Sequence, residues 1–380
     1  MTALALFWFS IVLIGYAYVG YPVLIRAWAA LRPVRPRAAQ GVPSVSVVIV
    51  AHDEGGRIAA RIENLLSLDY PMDRLEIVVG SDGSTDGTEA RARAVPSGRV
   101  RVIAFPGRRG KAAVLDDVLP LCCGEIVVLT DARQRFEAGT LEALVRPFGD
   151  PAVGAVSGRL ILADRPEATP VSRGVGLYWR CETAIRENES RVDSTVGATG
   201  AVYAIRRDLF EPIPGDTILD DVLIPMRIAR RGYRVVFESG ARAWDRPAET
   251  PRQEFVRKVR TIAGNFQLFA REPWLLDPRR NRLWLQTVSH KGIRLLGPVL
   301  LAAILGSNLL LAGRPFYAGT LAAQGLFYAA ALLGALAGAG RGGALLAVPY
   351  TVCLLNWATA VAFLRVLTGR QPVTWERAPV

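Results

Sequence analysis

Two aspartate clusters close apolar runs in the first half of this chain. Val78 to Thr88 reads Val-Val-Gly-Ser-Asp-Gly-Ser-Thr-Asp-Gly-Thr, and Ile126 to Arg133 reads Ile-Val-Val-Leu-Thr-Asp-Ala-Arg. A short, continuous β-branched run is the pattern of a buried parallel strand. The C-terminal end of such a strand is where open α/β sheets hold their ligands. Carboxylates there suit a ribose hydroxyl, a base edge or a divalent cation carrying a diphosphate. Asp and Gly also make turns and cap helices without any further role. One cluster alone would read that way; two, both leaving apolar strands, point to a site.

The first strand, Val45 to Ala51, runs into Ala51-His52-Asp53-Glu54-Gly55-Gly56. A dinucleotide fold would place Gly-x-Gly-x-x-Gly there, and the chain has no Walker sequence either. The half-sheet is therefore expected to hold a nucleotide with carboxylates rather than a glycine cradle. Asp82 would contact base or ribose, Glu54 and the Ala51 backbone would line the same pocket, and Asp131 would meet a metal–diphosphate. Downstream, Asp220 and Asp221 open a helix. A helix dipole favours such charge by itself, but adjacent carboxylates also shift one another's pKa and can leave one suited to take a proton from a hydroxyl.

The elements that must position these residues alternate strand and helix. Leu75 to Val79 is the second strand, followed by a helix from about Thr85 to Ala94. A strand at Val100 to Phe105, a helix from Lys111 to Leu119 and a strand at Glu125 to Thr130 come next. That rhythm predicts a mostly parallel sheet with helices on both faces. Beyond a helix in Gly139 to Phe148 the pattern loosens. Val153 to Leu162 reads as a longer strand and Arg173 to Ser190 as a helix. Val196 to Ile205 reads as a glycine-rich loop running into a short strand. Thr217 to Arg231 and Glu254 to Phe269 read as helices.

With 380 residues there is room for one sizeable domain and something more. Ala3 to Leu31 is almost uncharged and exceeds the roughly 20 apolar residues that cross a bilayer. Without a basic start or a small-residue cleavage site, it reads as a retained anchor. Arg32, Arg35 and Arg37 follow it, which favours a cytoplasmic domain after the span. Leu295 to Ala312, Phe316 to Ala339 and Ala344 to Leu364 read as three further spans, separated at Gly313-Arg314-Pro315 and Gly340-Arg341-Gly342. Asn281 to Arg294, basic and apolar together, reads as a lead-in lying at the membrane surface.

The net charge of +12 comes without a nucleic-acid motif, and the basic residues crowd the membrane-proximal stretches. Anionic lipid headgroups account for that placement better than nucleic acid. Only Lys111, Lys258 and Lys291 among the 46 basic residues are lysine, which singles out Lys111 beside Gly110. The four cysteines show no paired spacing, and two histidines cannot complete a zinc site or a serine- or cysteine-based triad.

Taken in order, Val-Ser-Val-Val-Ile-Val-Ala-His-Asp-Glu, Gly-Ser-Asp-Gly-Ser-Thr-Asp-Gly-Thr, Gly110-Lys111, Thr-Asp-Ala-Arg, Gly-Ala-Thr-Gly-Ala and Leu219-Asp220-Asp221 resemble the inverting family 2 glycosyltransferases of GT-A fold, in their membrane-integrated bacterial branch. The resemblance covers about residues 44 to 270. It implies a nucleotide-diphospho-sugar donor held by Ala51, Glu54, Asp82, Lys111 and Asp131. It also implies Mg2+ or Mn2+ at Asp131, as the first aspartate of the family's Asp-x-Asp, and Asp221 as the general base. Gly197, Thr199, Gly200, Asp220 and Arg260 would face the acceptor, a lipid-linked or membrane-proximal saccharide. The organisation implied is an anchor at 1–31, a basic linker at 32–43, a cytoplasmic GT-A domain at 44–272, an interfacial helix at 281–294, about three spans in 295–367 and a tail at 368–380, in a bacterial inner membrane.

Two positions depart from the family pattern. Arg133 stands where the second acid of Asp-x-Asp belongs, so either metal coordination rests on Asp131 and the diphosphate oxygens alone, or Arg133 instead takes part of the diphosphate charge. Arg257-Lys258-Val259-Arg260-Thr261 stands where processive synthases carry Gln-x-x-Arg-Trp, which weighs against polymer synthesis. A processive polysaccharide synthase, a nucleotidyltransferase and a non-catalytic membrane scaffold are the alternatives.

Overall fold

The computed structural model describes residues 1–34, 36, 41–162, 170–246, 250–336 and 343–374. The expected break at Gly340-Arg341-Gly342, part of the basic linker and the tail from residue 375 lie outside them. The chain divides into two compact units. An α/β unit gathers Trp28–Ala163, Arg186–Arg246 and Pro372–Val380; a helical unit gathers Met1–Ala27, Asp164–Ile185 and Pro247–Gln371.

The α/β unit is built on one sheet of β1 (Val45–Ala51), β2 (Leu75–Asp82), β3 (Val100–Phe105), β4 (Ile126–Thr130), β5 (Arg135–Phe136), β6 (Val153–Leu162), β7 (Tyr203–Arg206) and β8 (Arg234–Asp245). Their spatial order is β3-β2-β1-β4-β7-β6-β8-β5. β1 pairs in parallel with β2 and β4, and β2 with β3. β7 then runs antiparallel between β4 and β6, and β6 pairs in parallel with β8. The apolar runs form strands because both faces are covered: every residue of β1 and of β4 is buried. On the helix Ile58–Leu66, Ile58, Ile62 and Leu65 recur at helical spacing and are wholly buried against that sheet. Each such side chain contributes about 1.5–3 kcal/mol of burial.

The chain winds outward from β1 to β2 and β3, then returns to place β4 on the other side of β1. This reversal opens a crevice at the strand ends between β1 and β4. Ala51 ends β1, Asp82 ends β2, and Asp131 follows the last residue of β4.

Local boundaries shift where side chains intervene. β2 extends three residues past the expected Val79, carrying Asp82 into the strand. The following helix starts only at Thr88, after Gly87 in the left-handed region (φ 81°). The helix expected from Thr217 starts at Asp220, which puts both aspartates in its first turn. β8 is twelve residues of strand that sequence periodicity does not announce; Glu238, Gly240 and Arg242 interrupt its apolar run.

Three helices are long and apolar enough to cross a membrane: Thr2–Leu31, Pro315–Leu336 and Leu345–Leu367. Trp284–Leu295 and Gly297–Leu311 form a pair bent by 59°, a fourth crossing if counted as one. Pro298 accounts for the bend, since proline withholds the N–H that would continue the ladder. Large apolar side chains point outward from these helices, Phe9 at 63%, Leu310 at 79% and Leu326 at 72% exposure. Phe7, Ile304 and Tyr317 pack together, as do Val259 and Ala263 with Ala358 and Ala362. Glu182 is buried with His290 at 2.9 Å and Arg294 at 3.4 Å, so its charge is matched.

Candidate active site

The two loops leaving β1 and β2 are laced together by the motif residues. Asp53 Oδ1 accepts the Thr85 N–H at 2.8 Å, and Ser84 Oγ accepts the Asp53 N–H at 3.1 Å. Asp86 Oδ2 accepts from Gly55 N at 3.0 Å, and Thr88 Oγ1 accepts from Glu54 N at 2.8 Å. Asp53 takes a left-handed φ of 51°, a conformation that aspartate tolerates better than most residues. Ser84, Asp86 and Thr88 were unassigned in the sequence; their task is to hold Glu54 and Ala51 in place. Glu54 is half-buried and its side chain meets Arg57 at 3.2 Å.

Asp82 is wholly buried, and its two carboxylate oxygens accept the backbone N–H groups of Arg109 (2.6 Å) and Gly110 (2.9 Å). It therefore ties the loop before Lys111 to the end of β2, a task the sequence reading of base or ribose contact did not foresee. Gly83, with φ 62°, lies against that loop: a Cβ on it would come within 2.5 Å of Arg108 N. Val373 packs beside the same turn, its Cγ1 3.7 Å from where a Cβ on Gly110 would stand.

With the turn so fixed, Lys111 opens the next helix and sends its ammonium to two carboxylates. Nζ lies 3.1 Å from Asp131 Oδ1 and 3.4 Å from Asp220 Oδ2. Burial alone would lower this lysine, but Asp131, Asp220 and Asp221 hold it above the usual lysine range. Asp131 is positioned from beneath: buried Arg61 donates to Thr130 Oγ1 at 2.9 Å, and Thr130 Oγ1 donates to the Ala201 carbonyl at 2.7 Å. Arg61 stacks on Phe136 at 4.2 Å. This tie joins the end of β4 to the glycine-rich loop.

That loop is braced throughout. Gly197 has φ 86°. Thr199 is buried, its N–H donating to Ser157 Oγ at 2.9 Å and its hydroxyl accepting from Arg186 at 3.0 Å. Ala198 N donates to the Asp221 carbonyl at 2.7 Å, and Gly200 N donates to Asp221 Oδ2 at 3.0 Å. Asp221 is only half-buried, whereas Asp220 is 6% exposed and accepts from the Tyr203 hydroxyl at 3.3 Å. Burial first, then Asp220 and Asp221, raise the Tyr203 phenol well above its ordinary range, so it stays a donor.

A Cβ on Gly200 would lie 2.8 Å from Asp221 Oδ2. Gly200→Ala is therefore expected to displace that carboxylate and to lower turnover by about 10-fold or more. Steady-state kinetics should show it in kcat with nucleotide affinity kept; an unchanged kcat would mean that this contact does not orient the site.

Arg133 follows two residues after Asp131. Its Nε donates to Asp245 Oδ2 at 2.8 Å, and Nη2 lies 3.7 Å from Asp131 Oδ2. Asp245, 5% exposed at the end of β8, also accepts from Gln134 at 3.0 Å. Asp245 escaped the sequence reading because β8 did. Burial opposes the Arg133 charge, but Asp131, Asp245 and Glu54 more than restore it. Arg260 belongs to the helix Pro251–Arg271 of the helical unit. There Lys258 lies 3.7 Å from Glu254 and 5.6 Å from the Trp179 ring, and burial lowers it.

A parallel half-sheet with carboxylates at its switch point, a lysine bridging two of them and a loop-held aspartate at a helix start make up an α/β unit of GT-A type. Residues 43–264 match the model of "Glycosyltransferase like family 2", and the chain belongs to that family. It is 31% identical over 229 residues to a β-monoglucosyldiacylglycerol synthase of Nostoc sp., covering 58% of this chain and 49% of that protein. It is 26% identical over 234 residues to the probable glycosyltransferase YdaM of Bacillus subtilis, covering 59% and 56%. A poly-β-1,6-N-acetyl-D-glucosamine synthase of Staphylococcus aureus is 21% identical over 238 residues, covering 60% and 56%. The chain thus spans about half the length of the curated relatives it matches. Among solved structures, the mannosyltransferase PcManGT of Pyrobaculum calidifontis, in complex with GDP-Man and Mn2+, superposes with a TM-score of 0.73 at 25% identity, covering 96% of this chain and 99% of that one.

The Mn2+ in that structure makes the donor set here worth testing. Oxygen ligands at about 2.0–2.6 Å, several of them, hold Mg2+ or a similar hard cation. No group of three or more acidic, histidine or cysteine side chains suited to a metal occurs among the described residues. Asp131 has a cation against each of its oxygens, Lys111 at 3.1 Å and Arg133 at 3.7 Å. Gln134 Oε1 has no partner among the described residues, but it is closed off from solvent. The residues present do not fit the Mg2+ or Mn2+ expected at Asp131.

Proposed function

We propose that this glycosyltransferase moves a hexosyl or N-acetylhexosaminyl group, with inversion, from a nucleoside-diphospho-sugar to a hydroxyl of a lipid-linked or membrane-proximal saccharide acceptor. The observation that carries the reading is Asp221: a half-buried residue whose carboxylate is held by the Gly200 N–H, next in the chain to Asp220, which Lys111 bridges to the strand-end Asp131. Asp221 takes the proton of the acceptor hydroxyl as its oxygen bonds to the anomeric carbon. The bond from that carbon to the diphosphate oxygen breaks, and the nucleoside diphosphate leaves with the electron pair. One base and one displacement give inversion.

Ala51, Glu54 and the loop held by Asp82 would line the nucleotide. Lys111 and Asp131 would face the diphosphate, and Gly197 and Gly200 the acceptor, while buried Asp220 holds Lys111 from behind. Three apolar helices, or four with the bent pair, support residence in a bacterial inner membrane, with 44–272 as its cytoplasmic transferase portion. The Nostoc relative's name, a glucosyldiacylglycerol synthase, supports a lipid acceptor.

Single transfer is favoured over polymerisation because Thr261, exposed and bonded back to the Arg257 carbonyl, cannot supply an aromatic floor. The test is the purified full chain offered a panel of nucleotide sugars with a bacterial lipid extract. Product mass should rise by one sugar even with donor in large excess. A ladder of masses from one encounter would favour the synthase reading; pyrophosphate release without sugar transfer would favour a nucleotidyltransferase.

A further inference from the structure

We infer that this chain neutralises the leaving diphosphate with a fixed pair of side-chain cations, Lys111 and Arg133, in place of a divalent ion. The inference rests on the donor reading above and deepens it. The charge supplied is equivalent: two side-chain cations against one doubly charged ion. Both are anchored from behind. Lys111 is set by the turn that Asp82 pins, and Arg133 by its Nε bond to buried Asp245, itself steadied by Gln134.

The position of Arg133 is informative. It occupies the place of the second acid in an Asp-x-Asp sequence, so the change both removes an oxygen ligand and inserts a positive charge. An ion bound at Asp131 would have to share its two oxygens with cations already 3.1 and 3.7 Å away. Repulsion at such distances opposes a divalent charge strongly in a partly buried site.

Arg133 also has donors to offer. Its side chain is 43% exposed, and among the described residues only Nε makes a hydrogen bond. The two terminal nitrogens form a planar fork that matches phosphate oxygens in bidentate fashion. Lys111 keeps one N–H beyond those directed at Asp131 and Asp220, and acts on phosphate as a point charge. Asp131 then works as the shared counter-ion that offsets the repulsion between the two cations.

The test uses the full-length protein in detergent, stripped of metal, with UDP, GDP and dTDP titrated calorimetrically in EDTA and again with Mn2+ or Mg2+. At least one nucleoside diphosphate should bind in EDTA with an affinity within about threefold of that with metal, and transfer should persist in EDTA. Arg133→Asp, which restores the acidic pair, should lose about tenfold or more in EDTA, the scale of one charge-assisted contact, and recover when Mn2+ is added. Binding by the unaltered protein that collapses in EDTA and returns with Mn2+ would overturn the inference while leaving the donor reading intact. Absence of nucleoside diphosphate binding under either condition would overturn both. Because the decisive comparison uses the unaltered chain, it does not depend on how Arg133→Asp folds.

Discussion

Asp221→Asn is expected to abolish sugar transfer while leaving nucleoside diphosphate affinity nearly unchanged. General-base removal costs roughly 10²–10⁴-fold in turnover. The amide keeps an oxygen that can accept the Gly200 N–H, as Asp221 Oδ2 does at 3.0 Å, so the loop should hold its shape. What it loses is the ability to take a proton from the acceptor. Rapid-quench or product-mass assays alongside calorimetry would separate the two effects. Turnover within a fewfold of the parent would remove Asp221 from the mechanism, and a parallel loss of nucleotide binding would mean that it supports the donor side.

The structure divides labour between neighbours that are equivalent in the sequence. Asp220 is buried, bridged to Lys111 at 3.4 Å and bonded by Tyr203 at 3.3 Å. Its Oδ2 takes both contacts, so Asp220→Asn should disturb the lysine rather than remove a base. Asp221, one residue on, is half-buried and turns its carboxylate toward the loop. A helical step of about 100° per residue is enough to point the two carboxylates at different partners.

Much of the site was legible because it is built on strand ends, and buried parallel strands advertise themselves as apolar runs. Val45–Ala51 has the same limits in sequence and structure, and Ala51 and Asp131 lie at the crevice where their strands end. Lys111 could be singled out by its rarity and its glycine neighbour, though nothing in the sequence revealed that it joins Asp131 to Asp220. The second half of the sheet was harder. β8 opens with the short apolar run Val235–Phe237, breaks at Glu238-Ser239-Gly240 and only then alternates, so no single pattern marks its length, and with it Asp245 went unseen. Arg61 was hidden for the opposite reason: an arginine on an amphipathic helix reads as solvated surface, yet it is buried beneath Thr130. Asp82 shows a third kind of gap. Its location was readable, but the backbone N–H groups that occupy it come from a turn some 27 residues later.

Lys111→Met is expected to damage stability and donor binding together, and the link between them can be measured. Removing one partner of a buried ion pair costs about 3–5 kcal/mol because the other charge remains unpaired. Asp220 is 8% exposed at its side chain but Asp131 is 30% exposed, so water compensates part of the loss, and about 2–3 kcal/mol is the expectation. For a domain of this size that lowers Tm by roughly 4–12 °C. With the ammonium gone, the diphosphate meets two carboxylates and one remaining cation, and its affinity should fall by about tenfold or more. The double variant Lys111→Met/Asp220→Asn removes the orphaned buried charge along with the lysine. It should recover much of the lost Tm without restoring nucleotide binding or transfer, because the diphosphate still lacks its point charge. Coupling between neighbours of this kind is typically 0.5–3 kcal/mol in a double-mutant cycle, about the size of the expected recovery. If Lys111→Met melts and binds nucleoside diphosphate like the parent, the lysine bridge contributes to neither; if the double variant regains binding with its Tm, Lys111 acts only by keeping Asp220 in place.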